Sequence, residues 1–187
     1  MLVCIFINSD LGFSLCVCRH DYAKVLYTPH TDTAVAFFTH NSPLSNMYPC
    51  MFVVAKTKYV CSEQFITVQK ALLFHDHDTA RKLMSQTIGA SMKKIAKHVK
   101  GLNQSIWHKK AYHLIMPGIL AKFSQNEECK KILLGTGDRM ILEASRNCIW
   151  GVGHALDSVA LWDPCLRRGE NLMGHILMEV RSIIAKK

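Results

Sequence analysis

The chain has 187 residues, of which 49% are hydrophobic, and its 23 lysines and arginines against 14 acidic residues give a net charge of +9. This is enough apolar material for one well-packed domain, so the eight cysteines predict free thiols in a reducing compartment rather than a disulfide framework. The apolar opening, Met1–Ile7, is too short to span a membrane and lacks the basic start of a secretion signal. We therefore expect a cytoplasmic protein without membrane contact, whose charge favours an anionic partner.

Residues 1–36 are predicted to be an N-terminal extension of unknown role, and residues 37–187 a single domain. The extension contains three short runs of β-forming residues, at 3–7, 15–18 and 24–27. Two further runs, 52–54 and 58–60, flank Ala55-Lys56-Thr57 and predict a small hairpin.

The period of the apolar residues changes from two to about 3.6 at Ser62, which is predicted to cap a helix with Glu63 in its first turn and Phe65, Val68 and Leu72 on its apolar face. Capping residues and periodicity predict the remaining elements. These are helices beginning near Asp78 and Ser91, a helix over Ser105 to Lys122 that Pro117 should kink or divide, a helix from a Ser124–Glu127 capping box to Leu134, a strand at Met140–Ala144 and a helix over Asn171–Ala185. The fold class is therefore mainly α (α+β), a compact helical domain with a small β element near its N-terminus.

Glu63 and Lys70 are the first candidates for chemistry. They are seven residues apart on the predicted helix, and seven steps of about 100° return almost to the starting angle, so both lie on one face with Thr67 between them. This polar stripe is either the solvated face of a surface helix or the border of a cleft. In the second case the carboxylate acts as a base or electrostatic stabiliser, and the amine as a nucleophile or a phosphate contact.

The loop from Asn41 to Pro49 contains Asn46 and Tyr48, which either satisfy the loop's own turns or present polar groups to a sugar. Asn171 lies at a helix start, where backbone N–H groups can bind an anion. The cluster His75-Asp76-His77-Asp78 lies at a helix boundary, where aspartates cap, and we predict no metal site there.

A glycine turn follows the predicted strand at Met140–Ala144. Gly151 and Gly153 allow close approach of the backbone to a ligand, and Trp150 offers a flat face to a base or a ribose. The alternative is a tryptophan that only packs within the turn.

These segments together resemble the NADAR superfamily of YbiA-like N-glycosidases, and the resemblance spans roughly Phe37 to Arg181. It implies a mainly helical fold and hydrolysis of N-glycosidic bonds, without a cofactor. The residues that carry it are, in order, Asn46-Met47-Tyr48-Pro49-Cys50 within the Phe38–Phe52 segment, Ser62-Glu63-Gln64, Gln69-Lys70-Ala71, Phe74, Trp107, Lys122-Phe123-Ser124-Gln125-Asn126, Thr136-Gly137, Glu143-Ala144-Ser145, Trp150-Gly151-Val152-Gly153, Gly169-Glu170-Asn171-Leu172-Met173-Gly174 and Leu177-Met178-Glu179-Val180-Arg181.

The resemblance also implies the substrates and the site. The substrates are phosphoribosylamino-pyrimidine intermediates of riboflavin synthesis or ADP-ribosylated guanine, as a small molecule or within nucleic acid. In both, the anomeric carbon of ribose is bonded to an exocyclic amine. Glu63 and Lys70 are the implied catalytic residues. The implied substrate-binding residues are Asn46, Tyr48, Trp107, Asn126, Trp150, Gly151, Gly153 and Asn171.

One departure from the family pattern supports a second hypothesis. The family usually has an aspartate just before the Trp-Gly motif, where this chain has Asn147, and an amide cannot transfer a proton as a carboxyl group can. The alternative function is therefore a catalytically impaired module that binds ADP-ribose or another NAD metabolite. A third reading, a basic protein that binds nucleic acid, requires an affinity that falls steeply with salt concentration.

Overall fold

The computed structural model describes residues 29–186, so the strands predicted within residues 3–27 lie outside the described part of the chain. Six helices and four short strands form the described part, which confirms the mainly α (α+β) class. The strands are β1 (Ala34–Phe37), β2 (Phe52–Val54), β3 (Thr57–Tyr59) and β4 (Met140–Glu143). The helices are α1 (Ser62–Leu73), α2 (His77–Met84), α3 (Gly89–Ala96), α4 (Gln104–Gln125), α5 (Glu127–Leu134) and α6 (Leu172–Ala185). None of these helices is long and apolar enough to cross a bilayer.

The residues separate into two compact units, one containing 29–38 and 136–175 and the other 39–135 and 176–186. In the first unit β1 pairs in parallel with β4, with Ala34 opposite Met140 and Phe37 opposite Glu143. All four residues of β1 are buried, as expected of a parallel strand covered on both faces. The strand predicted at Met140–Ala144 is thus confirmed to within one residue, and the domain boundary at residue 36 stays a prediction.

The second unit is built around the predicted hairpin, which the structure confirms. Strands β2 and β3 pair antiparallel, and Ala55 and Lys56 have φ angles of 47° and 66°, the left-handed pair that a tight two-residue turn requires. The ring of Phe65 from α1 lies edge-on to Tyr59, with centroids 5.0 Å apart. This aromatic contact fixes α1 against the hairpin.

Three helix starts differ from those predicted, and only at α1 does a contact from another segment satisfy a first-turn N–H group. Ser62 is the first residue of α1 and not its cap, since the N–H of Glu63 donates to the carbonyl oxygen of Asn46 at 2.8 Å. Asp76, rather than Asp78, caps α2 by accepting the N–H of Thr79. Helix α3 begins at Gly89 instead of Ser91.

Asp76 also accepts the N–H of Lys100 at 2.8 Å, and the hydrogen bonds from Lys100 and from Thr79 lower the pKa of its carboxyl to about 2. Asp76 of the His75–Asp78 segment thus caps helix α2 and ties its start to the backbone of Lys100. Within residues 29–186, no three His, Cys, Asp or Glu side chains are arranged to hold a metal ion.

The long helix α4 runs unbroken through Pro117, so the predicted division is wrong. Pro117 is exposed. So is His113, whose carbonyl lacks a helical donor because Pro117, four residues later, has no N–H. The predicted capping box is also wrong, because Ser124 and Gln125 still belong to α4. The predicted apolar face of α1 is right at Phe65 and Val68, but Leu72 is 39% exposed.

A glycine sets how closely α1 approaches α4. A Cβ atom built on Gly118 would lie 2.2 Å from the ring of Phe65, which is itself buried. The helices can pack at this distance only because the residue has no side chain.

We expect Gly118→Ala to lower the free energy of unfolding by about 1–3 kcal/mol, as overpacking of a filled core does. Urea denaturation measures the change. The matched control is Lys109→Ala, an exposed site on the same helix, which should stay within about 0.5 kcal/mol of the parent. Equal stability of Gly118→Ala and the parent would show that Phe65 does not hold this contact.

Candidate active site

Glu63 is buried in the first turn of α1, with 6% of its surface exposed. Thr67, one turn further along, is 2% exposed, and its hydroxyl donates to the carbonyl oxygen of Glu63 at 2.7 Å. The alternative of a solvated helix face is therefore excluded for this part of the stripe. An ionised carboxylate is costly to bury without a positive partner, so its surroundings decide what it can do.

The positive partner is Lys93 of α3, which the sequence did not indicate. Its Nζ lies 3.8 Å from Oε2 of Glu63, and its own side chain is 53% exposed. One end of this ion pair thus lies in the protein interior and the other reaches solvent. Lys93 has no distinguishing signal in the sequence, since α3 carries two adjacent lysines, Lys93 and Lys94, and only the placement of that helix selects one of them.

Gln64 provides this placement. Its side chain is buried, and Nε2 lies within hydrogen-bonding distance of the carbonyl oxygens of Leu83 at 3.2 Å, Met84 at 3.1 Å and Gln86 at 3.0 Å. These carbonyls belong to the end of α2 and the segment that leads into α3. A residue adjacent to Glu63 therefore anchors the backbone that carries Lys93.

Lys70 lies in the last turn of α1, half-buried, with Nζ 5.0 Å from the ring centroid of Trp107. Trp107 belongs to α4 and is 1% exposed, so its ring is a fixed surface for the amine. The aromatic face attracts the ammonium form and limits where the lysine can reach. The predicted residues Glu63, Lys70 and Trp107 thus lie in one unit of the structure.

The two titratable groups shift in opposite directions. Burial raises the pKa of Glu63, and the positive charges of Lys93 and Lys70 oppose this shift without cancelling it. Burial lowers the pKa of Lys70; Glu63 opposes that change and Lys93 adds to it. Both shifts favour the neutral forms, a carboxyl group that can give a proton and an amine that can attack carbon.

A buried lysine of α4 binds the backbone of the loop that contains Asn46 and Tyr48. Lys122 of α4 is 0% exposed, and its Nζ donates to the carbonyl oxygen of Ser45 at 2.8 Å. The same Nζ lies 5.7 Å from the ring centroid of Tyr48. Asn46 thus adjoins the site through its carbonyl contact with Glu63, whereas the side chain of Tyr48 interacts with Lys122 and Glu128.

Asn126 ties two segments of backbone together. Its Nδ2 donates to the carbonyl oxygens of Met51 and Lys122, each at 3.0 Å. These contacts give Asn126 a structural role at the end of α4, and its contact with substrate stays a prediction.

The remaining predicted residues belong to the other unit. Trp150 is half-buried in a turn, Gly153 has a φ of 80°, and a Cβ on Gly151 would lie 2.7 Å from the carbonyl oxygen of Glu143. The side chain of Asn171 accepts from the N–H of Glu143 at 3.0 Å and donates to the carbonyl oxygen of Ile141 at 2.8 Å, so it anchors β4. The backbone N–H of Asn171 donates to the carbonyl oxygen of Gly151 at 3.1 Å. This N–H, predicted to be able to bind an anion, therefore already has a partner.

Asn147 organises the Trp150 turn. Its Oδ1 accepts the N–H groups of Ile149 and Trp150, both at 2.9 Å. A carboxylate in this position could accept the same two bonds, so the amide keeps the structural contribution of an aspartate and lacks only its ability to titrate.

The family of this chain follows from comparison with known proteins. A family model described as the NADAR domain matches residues 34–185. The match covers most of the chain, and the chain therefore belongs to the NADAR domain family.

Two relatives and one solved structure illustrate the similarity. N-glycosidase R617 of Acanthamoeba polyphaga mimivirus is 35% identical over 125 residues, which cover 66% of this chain and 74% of that protein. Protein irg-1 of Caenorhabditis elegans is 30% identical over 168 residues, or 81% and 79% of the two chains. The NMR structure of the E. coli protein YbiA matches with a TM-score of 0.68 at 21% identity and covers 88% of this chain and 92% of the other, which shows a shared fold.

We expect Lys93→Met to raise the pKa of both Glu63 and Lys70, because the ammonium that lowers each of them is removed. Both limbs of a pH–rate profile should move to higher pH, and NMR titration of the two side chains should show the same direction. Lys94→Met is the matched control, since Lys94 is exposed and pairs with no carboxylate among residues 29–186. Unchanged titration of Glu63 in Lys93→Met would remove Lys93 from the site.

Proposed function

We propose that the site formed by Glu63 and Lys70 hydrolyses the bond between ribose C1 and an exocyclic amine. The enzyme class, a hydrolase that acts on N-glycosyl compounds, agrees with the name N-glycosidase carried by the mimivirus relative. The observation that carries the proposal is the buried carboxyl of Glu63, which shares a helix with an amine whose pKa is lowered. Neither residue needs such a site for packing, and the arrangement suits proton transfer and covalent catalysis.

The proposed reaction begins with opening of the ribose ring. The C1–O bond breaks as an imine forms between C1 and the nitrogen of the base, and the proton that this nitrogen loses passes to the ring oxygen. The neutral amine of Lys70 adds to C1. The nitrogen of the base then takes a proton from the carboxyl of Glu63 and leaves, so that C1 is held as an imine of Lys70. Water adds to C1, Glu63 recovers its proton, and the sugar departs as Lys70 is released as the free amine.

The neighbouring residues have separate roles in this scheme. The ring of Trp107 limits the movement of Lys70, so that the amine approaches C1 from one direction. The side chain of Lys93 lies at the exposed end of the ion pair, where a phosphate of the substrate can bind it. We therefore propose that Lys93 both tunes the two catalytic groups and binds phosphate.

Two substrate groups fit this chemistry, phosphoribosylamino-pyrimidine intermediates and ADP-ribosylated guanine. Both are glycosylamines that carry phosphate. The net charge of +9 and the exposed chain of Lys93 favour such an anionic substrate. Mass spectrometry of the protein incubated with each compound distinguishes them. Release of free base and sugar phosphate from one compound supports the proposal and gives the substrate; no release from either compound contradicts it.

The second candidate function is a module that binds ADP-ribose or a related metabolite without turnover. This second function is favoured by Asn147, which stands where the family usually has an aspartate. The contacts of Asn147 with Ile149 and Trp150 weigh against it, because the amide still supports the turn. Binding of ADP-ribose together with no release of base from either glycosylamine would identify this second function.

Glu63→Gln should lower kcat by about 10²–10⁴-fold, the usual contribution of a general acid–base group. The same variant should unfold at a Tm no lower than that of the parent at pH 8. A carboxyl with a raised folded-state pKa loses stability as pH rises from the unfolded value of about 4.3 through the folded value, and an amide has no such loss. Loss of activity accompanied by a lower Tm would indicate a structural role for Glu63.

Lys70→Arg keeps a positive charge but cannot form the imine, so turnover should fall below detection. Reduction of the working enzyme with borohydride should fix the sugar on Lys70, seen as added mass on the peptide that contains it. Lys94→Arg is the control and should keep full activity. Retained turnover in Lys70→Arg would favour direct attack by water, with Glu63 as base and Lys70 as a phosphate contact.

A further inference from the structure

Away from Glu63 and Lys70, two thiols face each other inside the same unit. Sγ of Cys50, just before β2, lies 3.4 Å from Sγ of Cys129 in α5. The residues are 8% and 2% exposed, and both are free cysteines. A disulfide brings its sulfurs to about 2.0 Å, so closing the bond requires about 1.4 Å of approach (3.4 minus 2.0).

The buried lysine that supports the Ser45 loop also adjoins this pair. The ammonium of Lys122 is 0% exposed, has one carbonyl partner at 2.8 Å and lies 4.9 Å from the ring centroid of Phe123. Burial lowers the pKa of Lys122 to about 8, and the negative charges that Cys129, Cys50 and Cys61 can carry oppose that change. A buried cation with so few polar partners favours an anion beside it.

The two thiols respond differently to their surroundings. The hydrogen bond between the two thiols lowers the pKa of Cys129, and the charge of Lys122 acts in the same direction. The pKa of Cys50 is raised, chiefly because its proton is shared with Cys129. Cys61 also lies within the field of Lys122, but burial raises its pKa, and its described sulfur neighbour is the thioether of Met92 at 3.8 Å. The 3.4 Å contact therefore places the two sulfurs side by side, and the directions of the two pKa shifts favour Cys129 as the thiolate.

We propose that Cys50 and Cys129 form a modification site at which hydrogen peroxide closes an intramolecular disulfide, with Lys122 stabilising the attacking thiolate. The thiolate of Cys129 attacks one oxygen of the peroxide, the O–O bond breaks, and the departing hydroxide takes a proton to become water. Cys129 is now a sulfenic acid. The sulfur of Cys50 attacks the Cys129 sulfur, loses its proton and displaces a second water. Two thiols are oxidised, one peroxide is reduced, and two waters form.

The test uses the full chain in its native state. The protein is treated with hydrogen peroxide, quenched, denatured in iodoacetamide and digested with trypsin without a reductant. Cleavage after lysine places Cys50 alone in Val25–Lys56 and Cys129 alone in Phe123–Lys130. We expect to detect these two peptides joined, with a mass equal to their sum minus two hydrogens. A reductant should separate them again. Recovery of both peptides in alkylated form, with oxidation only at the exposed Cys148 and Cys165, would overturn the proposal.

Variants assign the two roles. With Cys50→Ser, dimedone should label Phe123–Lys130, because the sulfenic acid on Cys129 has no resolving thiol. With Cys129→Ser, Val25–Lys56 should stay unlabelled; the reverse pattern would contradict the assignment. Lys122→Met should slow cross-linking by at least about tenfold, the change in thiolate fraction for one unit of pKa. If that variant does not fold, the parent protein and the cysteine variants still decide the question. Replacing both Cys148 and Cys165 by serine is the control and should leave the cross-link unchanged.

Discussion

The carboxyl group of Glu63 lies in the interior, and this one buried acid constrains the elements around it. The residue needs its backbone N–H satisfied, which Asn46 does, and its charge compensated, which Lys93 does. Asn46 lies in the loop before β2 and Lys93 lies in α3, so this loop and both helices, α1 and α3, must meet at Glu63. The cost of burying an acid is tolerated at functional sites more often than elsewhere, because there the altered pKa is useful.

Buried polar side chains hold this meeting point together. Gln64 binds the carbonyl groups that lead into α3, and Lys122 binds the carbonyl group of Ser45, next to Asn46. At the surface, the exposed side chain of Gln125 accepts the N–H of Val53 and donates to its carbonyl oxygen, each at 2.8 Å, and so joins the end of α4 to the hairpin. Each contact satisfies a backbone group that would otherwise be buried or frayed, and each restricts the loops to one arrangement. The site is thus rigid on the side of Glu63 and open to solvent at the half-exposed chain of Lys93.

Prediction from the sequence succeeded where the signal is local. The hairpin at 52–59 was correct because two β-forming runs flank a short turn, and α1 was correct because its period changes at Ser62. Helix starts were less accurate, since a capping residue is only one way to satisfy the first N–H groups. At α1 the carbonyl group of Asn46 does so from another segment, which no pattern within the helix can reveal. At Pro117 the predicted division of the helix was wrong, because Pro117 and His113, whose carbonyl loses its donor, are both exposed residues.

By itself the sequence determined the helical class, the register that puts Glu63 and Lys70 on one face, and the ordered segments that resemble the NADAR superfamily. These depend on spacing along the chain, which a helix converts directly into direction. Only the tertiary structure decided that Glu63 is buried, that Lys93 rather than its neighbours is its partner, and that Trp107 faces Lys70. It also decided that Cys50 and Cys129, 79 positions apart, lie in contact. Burial and pairing depend on which helix packs against which, and residues distant in sequence carry no local signal of that choice.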